Sequence, residues 1–189
     1  MFVEFIVPTF DRKFPLLSML SSLAAQTDND WGAHILVDGD KIEDFRHDFM
    51  SILNLPNIRL HHTKKRFNDW GHSLRIIGKE DSEADYIIMT GDDNYYTPNL
   101  VEELRKVSYA KPALIYWDMV HSHYNYQYFK CYPAYNQIDM GAFATRNDIA
   151  KQVCLNTTYA ADGEFIRDIT IKFPEEKIIK IDKVLFVHN

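Results

Sequence analysis

Three short acidic or polar clusters hold most of the chemistry this sequence offers. Asp92-Asp93-Asn94 is the densest. Adjacent carboxylates repel unless hydrogen bonds or a cation intervene. Their hard oxygens suit Mg²⁺ or Mn²⁺, ions that keep some of their water and bind diphosphates. The same residues would also serve as a solvated turn or a helix cap. Asp38-Gly39-Asp40 offers a carboxylate that can accept from a base N–H or a ribose hydroxyl, with Gly39 allowing close approach or positive φ. Taken alone it reads more simply as a turn. Thr9-Phe10-Asp11-Arg12 is the third cluster. Two single residues join them. Asp162, in Ala161-Asp162-Gly163-Glu164, is placed for a general base or for a helix cap. His188 follows the apolar run Val184–Val187, either as a structural histidine or as a metal ligand.

The elements that must position these clusters can be read from periodicity. The first half alternates short apolar runs with helical patterns, which predicts parallel strands joined by helices. The predicted strands are Phe2–Val7, Ala33–Val37, Ile58–His62 and Tyr86–Thr90. The predicted helices are Phe14–Gln26, with Leu16, Leu17, Leu20 and Leu23 on one side, then Lys41–Leu53 and one near Gly71–Gly78. Pro98 opens another over Asn99–Val107. The second half is less regular. It reads as a buried strand Ala113–Trp117, an aromatic loop or strand pair Val120–Tyr135 facing a ligand, and a short strand Asp139–Thr145. Helices Asn147–Val153 and Asp162–Ile171 follow, with one or two strands over Lys177–Val187. Open parallel sheets bind ligands at the carboxyl ends of their strands. The three clusters follow strands one, two and four.

Composition narrows the classes. The 189 residues suffice for one domain with a real core. The formal net charge is −6, from 21 Lys and Arg against 27 Asp and Glu, and no long basic run is present, which argues against a nucleic-acid partner. An acidic chain that handles a diphosphate needs a cation to screen the repulsion. Cys131 and Cys154 make no metal or redox pattern and read as free thiols in a reducing compartment. The opening is charged too early for a signal peptide, and no stretch approaches the roughly 20 apolar residues of a membrane span, so a cytoplasmic protein with no transmembrane segment is expected. No Gly-x-Gly-x-x-Gly follows strand one, no phosphate-loop motif is present, and no His pair has zinc-helix spacing.

In their order along the chain these features resemble a family 2 glycosyltransferase. Val7-Pro8-Thr9-Phe10-Asp11-Arg12 is similar to the family's opening Val-Pro-Thr-Tyr-Asn-Arg, and Leu36-Val37-Asp38-Gly39-Asp40 to its acidic turn. Asn68–Arg75 is similar to its Gly-x-x-x-Arg segment. Ala84–Asn94 resembles its metal-binding strand and Asp-x-Asp turn. Ile138–Ala142 and Asp162–Phe165 resemble acceptor-side segments, and Val187-His188 its final metal-ligating His. Two positions depart from the pattern. Gly91 stands where the first Asp of Asp-x-Asp belongs, so Asp92 takes the ribose role, and the catalytic Glu-Asp pair reads Ala161-Asp162.

The resemblance implies the GT-A fold, a three-layer α/β/α sandwich with a central, mostly parallel, mixed sheet. A single domain is expected, about 1–97 binding the nucleotide-sugar and about 98–189 carrying the acceptor and catalytic side. Pro8, Thr9, Asp11, Arg12, Asp38, Gly39, Arg75 and Asp92 would bind a donor nucleotide, UDP favoured. Asp93 and His188 would hold Mn²⁺ or Mg²⁺. Asp162 would be the base, with Glu164 as the other candidate. The implied reaction is inverting transfer of a sugar to a sugar-containing glycan, lipid or protein acceptor. The rivals are a non-catalytic sugar-nucleotide-binding module, and a nucleotidyltransferase, which the Gly-poor first loop disfavours. The tyrosine-rich segment Val120–Tyr135 is expected either to shape the sugar or acceptor pocket or to pack as a flap without ligand contact.

Overall fold

A computed structural model describes residues 1–40 and 56–189; the helix expected over Lys41–Leu53 lies outside them. Among the described residues, nine strands form one mixed sheet in the order β3-β2-β1-β4-β8-β6-β9-β5, with β7 paired to β6. The strands are β1 Val3–Thr9, β2 Trp31–Val37, β3 Ile58–His62, β4 Tyr86–Met89, β5 Tyr95–Tyr96, β6 Leu114–His121, β7 Gln127–Phe129, β8 Phe143–Arg146 and β9 Ile178–His188. β3, β2, β1 and β4 run parallel, β8 is antiparallel to both neighbours, and β9 runs parallel to β6. Every residue of β1 and β2 is buried, as expected for strands covered on both faces. β3, at the edge, is mostly exposed.

Five α-helices are described: α1 Lys13–Ala24, α2 His72–Asp81, α3 Leu100–Ser108, α4 Asn147–Ala150 and α5 Ala161–Lys172. In α1, Leu16, Met19, Leu20 and Leu23 are buried at helical spacing. Leu17, expected on that side, is 38% exposed, because Met19 rather than Leu17 completes the stripe. Phe5 and Ile6 are successive strand residues and face opposite ways. Ile6 meets Gly78 of α2, where an added Cβ would stand 2.5 Å from its Cγ2. Phe5 packs on Tyr96, ring centroids 5.1 Å apart, beside α1. Helical layers therefore cover both faces, giving the three-layer α/β/α architecture. Gln26, just beyond α1, caps α3 from outside: its Oε1 accepts from Val101 N at 3.1 Å, and its Nε2 donates to Thr97 O at 2.8 Å.

Differences from the sequence reading concentrate in the second half. Asn147–Val153 is helical only over four residues. Asp139–Thr145 begins as a 3₁₀ turn, Met140–Ala142, before the strand. Tyr95–Tyr96 is a strand that pairs with β9, too short to show periodicity. The aromatic stretch is a strand pair, β6 with β7, joined through a 3₁₀ turn at Ser122–Tyr124. No described helix is long and apolar enough to cross a membrane.

Candidate active site

The sheet changes direction of winding between β1 and β4. Loops from these neighbouring strands diverge there and leave a crevice at the carboxyl ends. A cleft of about 570 Å³ occupies that place, within the usual range for a small-molecule site. Pro8, Thr9, Arg12, Asp38, Arg75, Asp92, Asp93 and His188 all line it. Asp11, Gly39 and Asp162 do not. Asp11 and Gly39 sit at turns with positive φ, 48° and 99°.

The two acidic neighbours are set in different surroundings. Asp92 is buried, and its Oδ2 accepts from Thr9 Oγ1 at 2.7 Å. Burial pushes its pKa up; the Thr9 hydroxyl and the Arg12 charge offset part of that rise. The Asp93 side chain keeps 22% of its surface and is held by Arg12, which donates to its Oδ2. The same guanidinium lies 3.3 Å from Asp92 Oδ1. Asn94 is buried; its Oδ1 accepts from Asn189 N at 3.2 Å, and its Nδ2 donates to Thr90 Oγ1 at 3.3 Å. That link ties the end of β9, and so His188, to the acidic loop. His188 Nε2 lies 3.6 Å from Asp139 Oδ2.

The opposite wall comes from the loop after β3. Asp38 takes a backbone N–H on each carboxylate oxygen, Phe67 N at 2.8 Å and Asn68 N at 3.0 Å. It therefore shapes that loop, and each oxygen has a further lone pair to offer. The Arg66 guanidinium carbon lies over Phe10, 3.5 Å from the ring centroid. Trp70 stands at the cleft with 74% of its surface exposed. Gly71 has φ 81°, and an added Cβ would lie 2.6 Å from Pro8 Cβ, so only glycine starts α2 this close to β1. Arg75 gives Nε and NH2 to Thr90 O at 3.2 and 3.0 Å, and NH1 to Trp70 O at 2.9 Å. Burial lowers its pKa, against the raising charges of Asp139, Asp92 and Asp69. It is a positive charge set in the cleft wall, already committed to backbone carbonyls.

Asp162 opens α5 outside the cleft lining, within electrostatic reach of its Arg75 and Asp139. Burial raises its pKa to about 6, with the Asp139 charge adding to the rise and the Gly163 N–H and Arg75 opposing it. Its Oδ1 accepts from Gly163 N at 2.7 Å. Gly163 packs directly on Tyr135, where a Cβ would stand 2.8 Å from its Cα. Glu164 is different. Its Oε2 accepts from Asn156 and Thr158, bonds that hold its pKa down.

The tyrosine segment is anchored rather than loose. Asp118, buried where β6 shifts register against β9, accepts from Tyr128 Oη and Cys131 N, both at 2.8 Å, and pairs with Lys180 at 2.9 Å. Tyr126 Oη donates to Asn189 Oδ1. His121 stacks on His188 with centroids 4.2 Å apart. Tyr124, Tyr126, Tyr128, Tyr132 and Tyr135 are all exposed, and none lines the cleft.

The acidic loop presents donors of the type a divalent ion takes. Asp93 offers a partly open carboxylate whose cationic partner, Arg12, is half exposed and displaceable, and His188 lines the same cleft. Their atoms make no group of three ligands within 4.8 Å; among the described residues His34, His61 and Asp81 alone do so. A site with few protein ligands is what a diphosphate-bridging Mg²⁺ or Mn²⁺ uses. The His34 set lines no part of the cleft. His34 Nε2 lies 2.9 Å from His61 Nδ1, while Arg59 bonds Glu4 and Asp81 and approaches His34 Nδ1 at 3.4 Å, filling the place of a cation. Burial lowers the His34 pKa to about 4, so it is neutral there.

The sequence reading did not pair Phe10 with Arg66 and did not single out Asn189. Asn94 belonged to the acidic cluster it placed at the strand ends, and Trp70 and Asp139 stood inside segments it quoted, without roles of their own. Arg66 and Asn189 carry no local signal, because folding alone brings them to the cleft.

Known structures share this architecture. The chain superposes on S. aureus TarS with a TM-score of 0.77 at 12% identity, over 100% of this chain and 37% of that one. TarS 1–349 in complex with UDP gives 0.77 at 13%, over 99% of this chain and 60% of that one. Its complex with UDP-GlcNAc gives 0.77 at 13%, over 99% and 58%. The chain thus spans less than two thirds of these relatives, and the likeness establishes the GT-A fold. The sequence goes further: the chain belongs to glycosyl transferase family 2, whose model matches residues 4–159. Asp162 and His188 lie beyond the matched segment. No curated protein matches the chain in sequence.

Proposed function

We propose that this chain transfers a sugar from a nucleotide-diphosphate sugar, with UDP as the nucleotide, to an acceptor hydroxyl, with inversion. The observation that carries this is the convergence of Thr9, Asp38, Arg75, Asp92, Asp93 and His188 on one cleft at the switch point of a family 2 fold. The UDP and UDP-GlcNAc complexes of TarS support the choice of nucleotide. In this reading residues about 1–97 grip the donor and about 98–189 present the acceptor.

Phe10 and Arg66 offer a flat surface for the base, and Asp38 shapes the loop around it. Asp92 meets the ribose. Asp93 and His188 would hold Mn²⁺ or Mg²⁺, which would supply positive charge against a diphosphate. Asp162 takes the proton from the acceptor hydroxyl while that oxygen bonds to the anomeric carbon. The bond from this carbon to the diphosphate breaks, and its electron pair leaves with the nucleotide. A base with its pKa raised to about 6 is well matched to that task near neutral pH. Glu164, held by two surface side chains, is not.

Incubating the protein and Mn²⁺ with UDP-, GDP- and dTDP-sugars should release UDP in preference to the others. Binding of UDP by calorimetry, with neither hydrolysis nor transfer, would instead mark a non-catalytic module. The exposed tyrosines serve the acceptor in this proposal. Tyr126→Ala and Tyr128→Ala should each raise the acceptor KM several-fold, the scale of one lost ring contact at about 1 kcal/mol, with the donor KM unchanged. Equal effects on both KM values would reject the acceptor role.

A further inference from the structure

Arg12 stands where a metal would compete with it. It belongs to the loop between β1 and α1, and its guanidinium contacts both members of the acidic pair, NH1 at 3.3 Å from Asp92 Oδ1 and NH2 on Asp93 Oδ2. The two carboxylates are unequal hosts. Asp92 is enclosed and tied to Thr9. Asp93 is open to the cleft, and its Oδ2 is the atom that Arg12 engages. The Arg12 side chain is 49% exposed, so it can swing away without disturbing a core. Burial lowers its pKa, but the Asp93 hydrogen bond and the two carboxylate charges more than offset that, so these contacts favour its charged form.

A Mg²⁺ or Mn²⁺ ligand distance is about 2 Å, so an ion on that oxygen excludes a guanidinium from it, and the two positive charges repel. Metal binding without nucleotide must give up two charge-assisted contacts. A diphosphate in the same cleft offers the planar fork a replacement, since guanidinium binds phosphate oxygens bidentately.

We propose that Arg12 is an internal cation that competes with divalent metal for Asp92 and Asp93, and that a nucleotide diphosphate, by taking over its guanidinium, makes metal and nucleotide bind cooperatively. The inference rests on the donor-site reading above. Arg12 is here a positioning residue, and the coupling is reciprocal, as linkage requires.

Titration calorimetry of Mn²⁺ into the wild-type protein and Arg12→Gln, each with and without saturating UDP, tests it. In the wild type, UDP should tighten Mn²⁺ binding by at least about fivefold, the lower end of ordinary coupling. Arg12→Gln should bind Mn²⁺ alone at least about fivefold more tightly than wild type, and UDP should tighten its Mn²⁺ binding by a smaller factor than in the wild type, since direct ligation of the ion by the diphosphate is common to both. Arg12→Lys, which keeps the charge but loses the fork, should fall between them and guards against a folding defect in the first variant. If Arg12→Gln binds Mn²⁺ alone no better than wild type, including the case where neither binds, the proposal is overturned. Failure of UDP to bind either protein would refute the donor reading and with it the coupling. Tighter nucleotide-free Mn²⁺ binding by Arg12→Gln would still establish the competition.

Discussion

Replacing Asp93 with alanine should lower sugar transfer by about 10²-fold or more, the scale of removing one strong transition-state stabiliser. Asp93 is the member of the acidic pair whose carboxylate is open to the cleft. Asp92 cannot substitute, because it is buried and engaged by Thr9. Mn²⁺ affinity should fall in parallel. Fold stability should change little, since Asp93 is partly exposed and its pair with half-exposed Arg12 is worth only about 1 kcal/mol or less. Transfer rate and calorimetric Mn²⁺ binding, measured on the same preparation, check this. Unchanged values for both would remove Asp93 from the metal site.

The second large effect is expected at Asp162. Asp162→Asn should abolish transfer while leaving UDP binding intact, and it should also make the protein more stable at neutral pH. The second outcome follows from the direction of the pKa shift. Asp162 has its pKa raised from 3.8 to about 6, chiefly by burial. Between about pH 4 and pH 6 the folded chain keeps a proton that the unfolded chain has released, so stability falls as pH rises through that window. Above it the full penalty of a desolvated carboxylate is present. Asparagine removes it and can still accept from Gly163 N. A gain on the order of 1–2 kcal/mol is expected, reduced by the solvent contact this side chain retains. In the wild type, kcat/KM should fall below about pH 6 as the base takes up its proton. Thermal melts at pH 7.5 and an acceptor-saturation series across pH check both halves. An Asp162→Asn enzyme with near-normal turnover would reject it as base.

Much of the first half was legible from sequence because its signals are local. The apolar runs of β1, β2 and β4 are buried on both faces, so they stand out without alternation. Ile58–His62 was placed to the residue. The acidic and polar clusters then fell at strand ends by counting along the chain. The second half was harder. β5 has two residues and owes its pairing to β9, about ninety positions away. β6 runs past Trp117 to His121 because β7 and β9 flank it, not because its own residues alternate. The partners of the site residues were also out of reach. That Arg75 serves Thr90 and Trp70 through their carbonyls, and that Asp38 serves backbone N–H groups, depends on loops crossing from other strands.

Trp70 has one practical use. The chain contains three tryptophans. Trp31 and Trp117 are 3% and 0% exposed within the core, whereas Trp70 stands in water at the mouth of the cleft. An indole in water emits at longer wavelength than one in a hydrocarbon setting, so the red edge of the intrinsic fluorescence belongs mainly to Trp70. The two interior indoles supply a steady internal standard. The unlabelled protein thus carries its own optical reporter, placed where arrival of a ligand would be felt first.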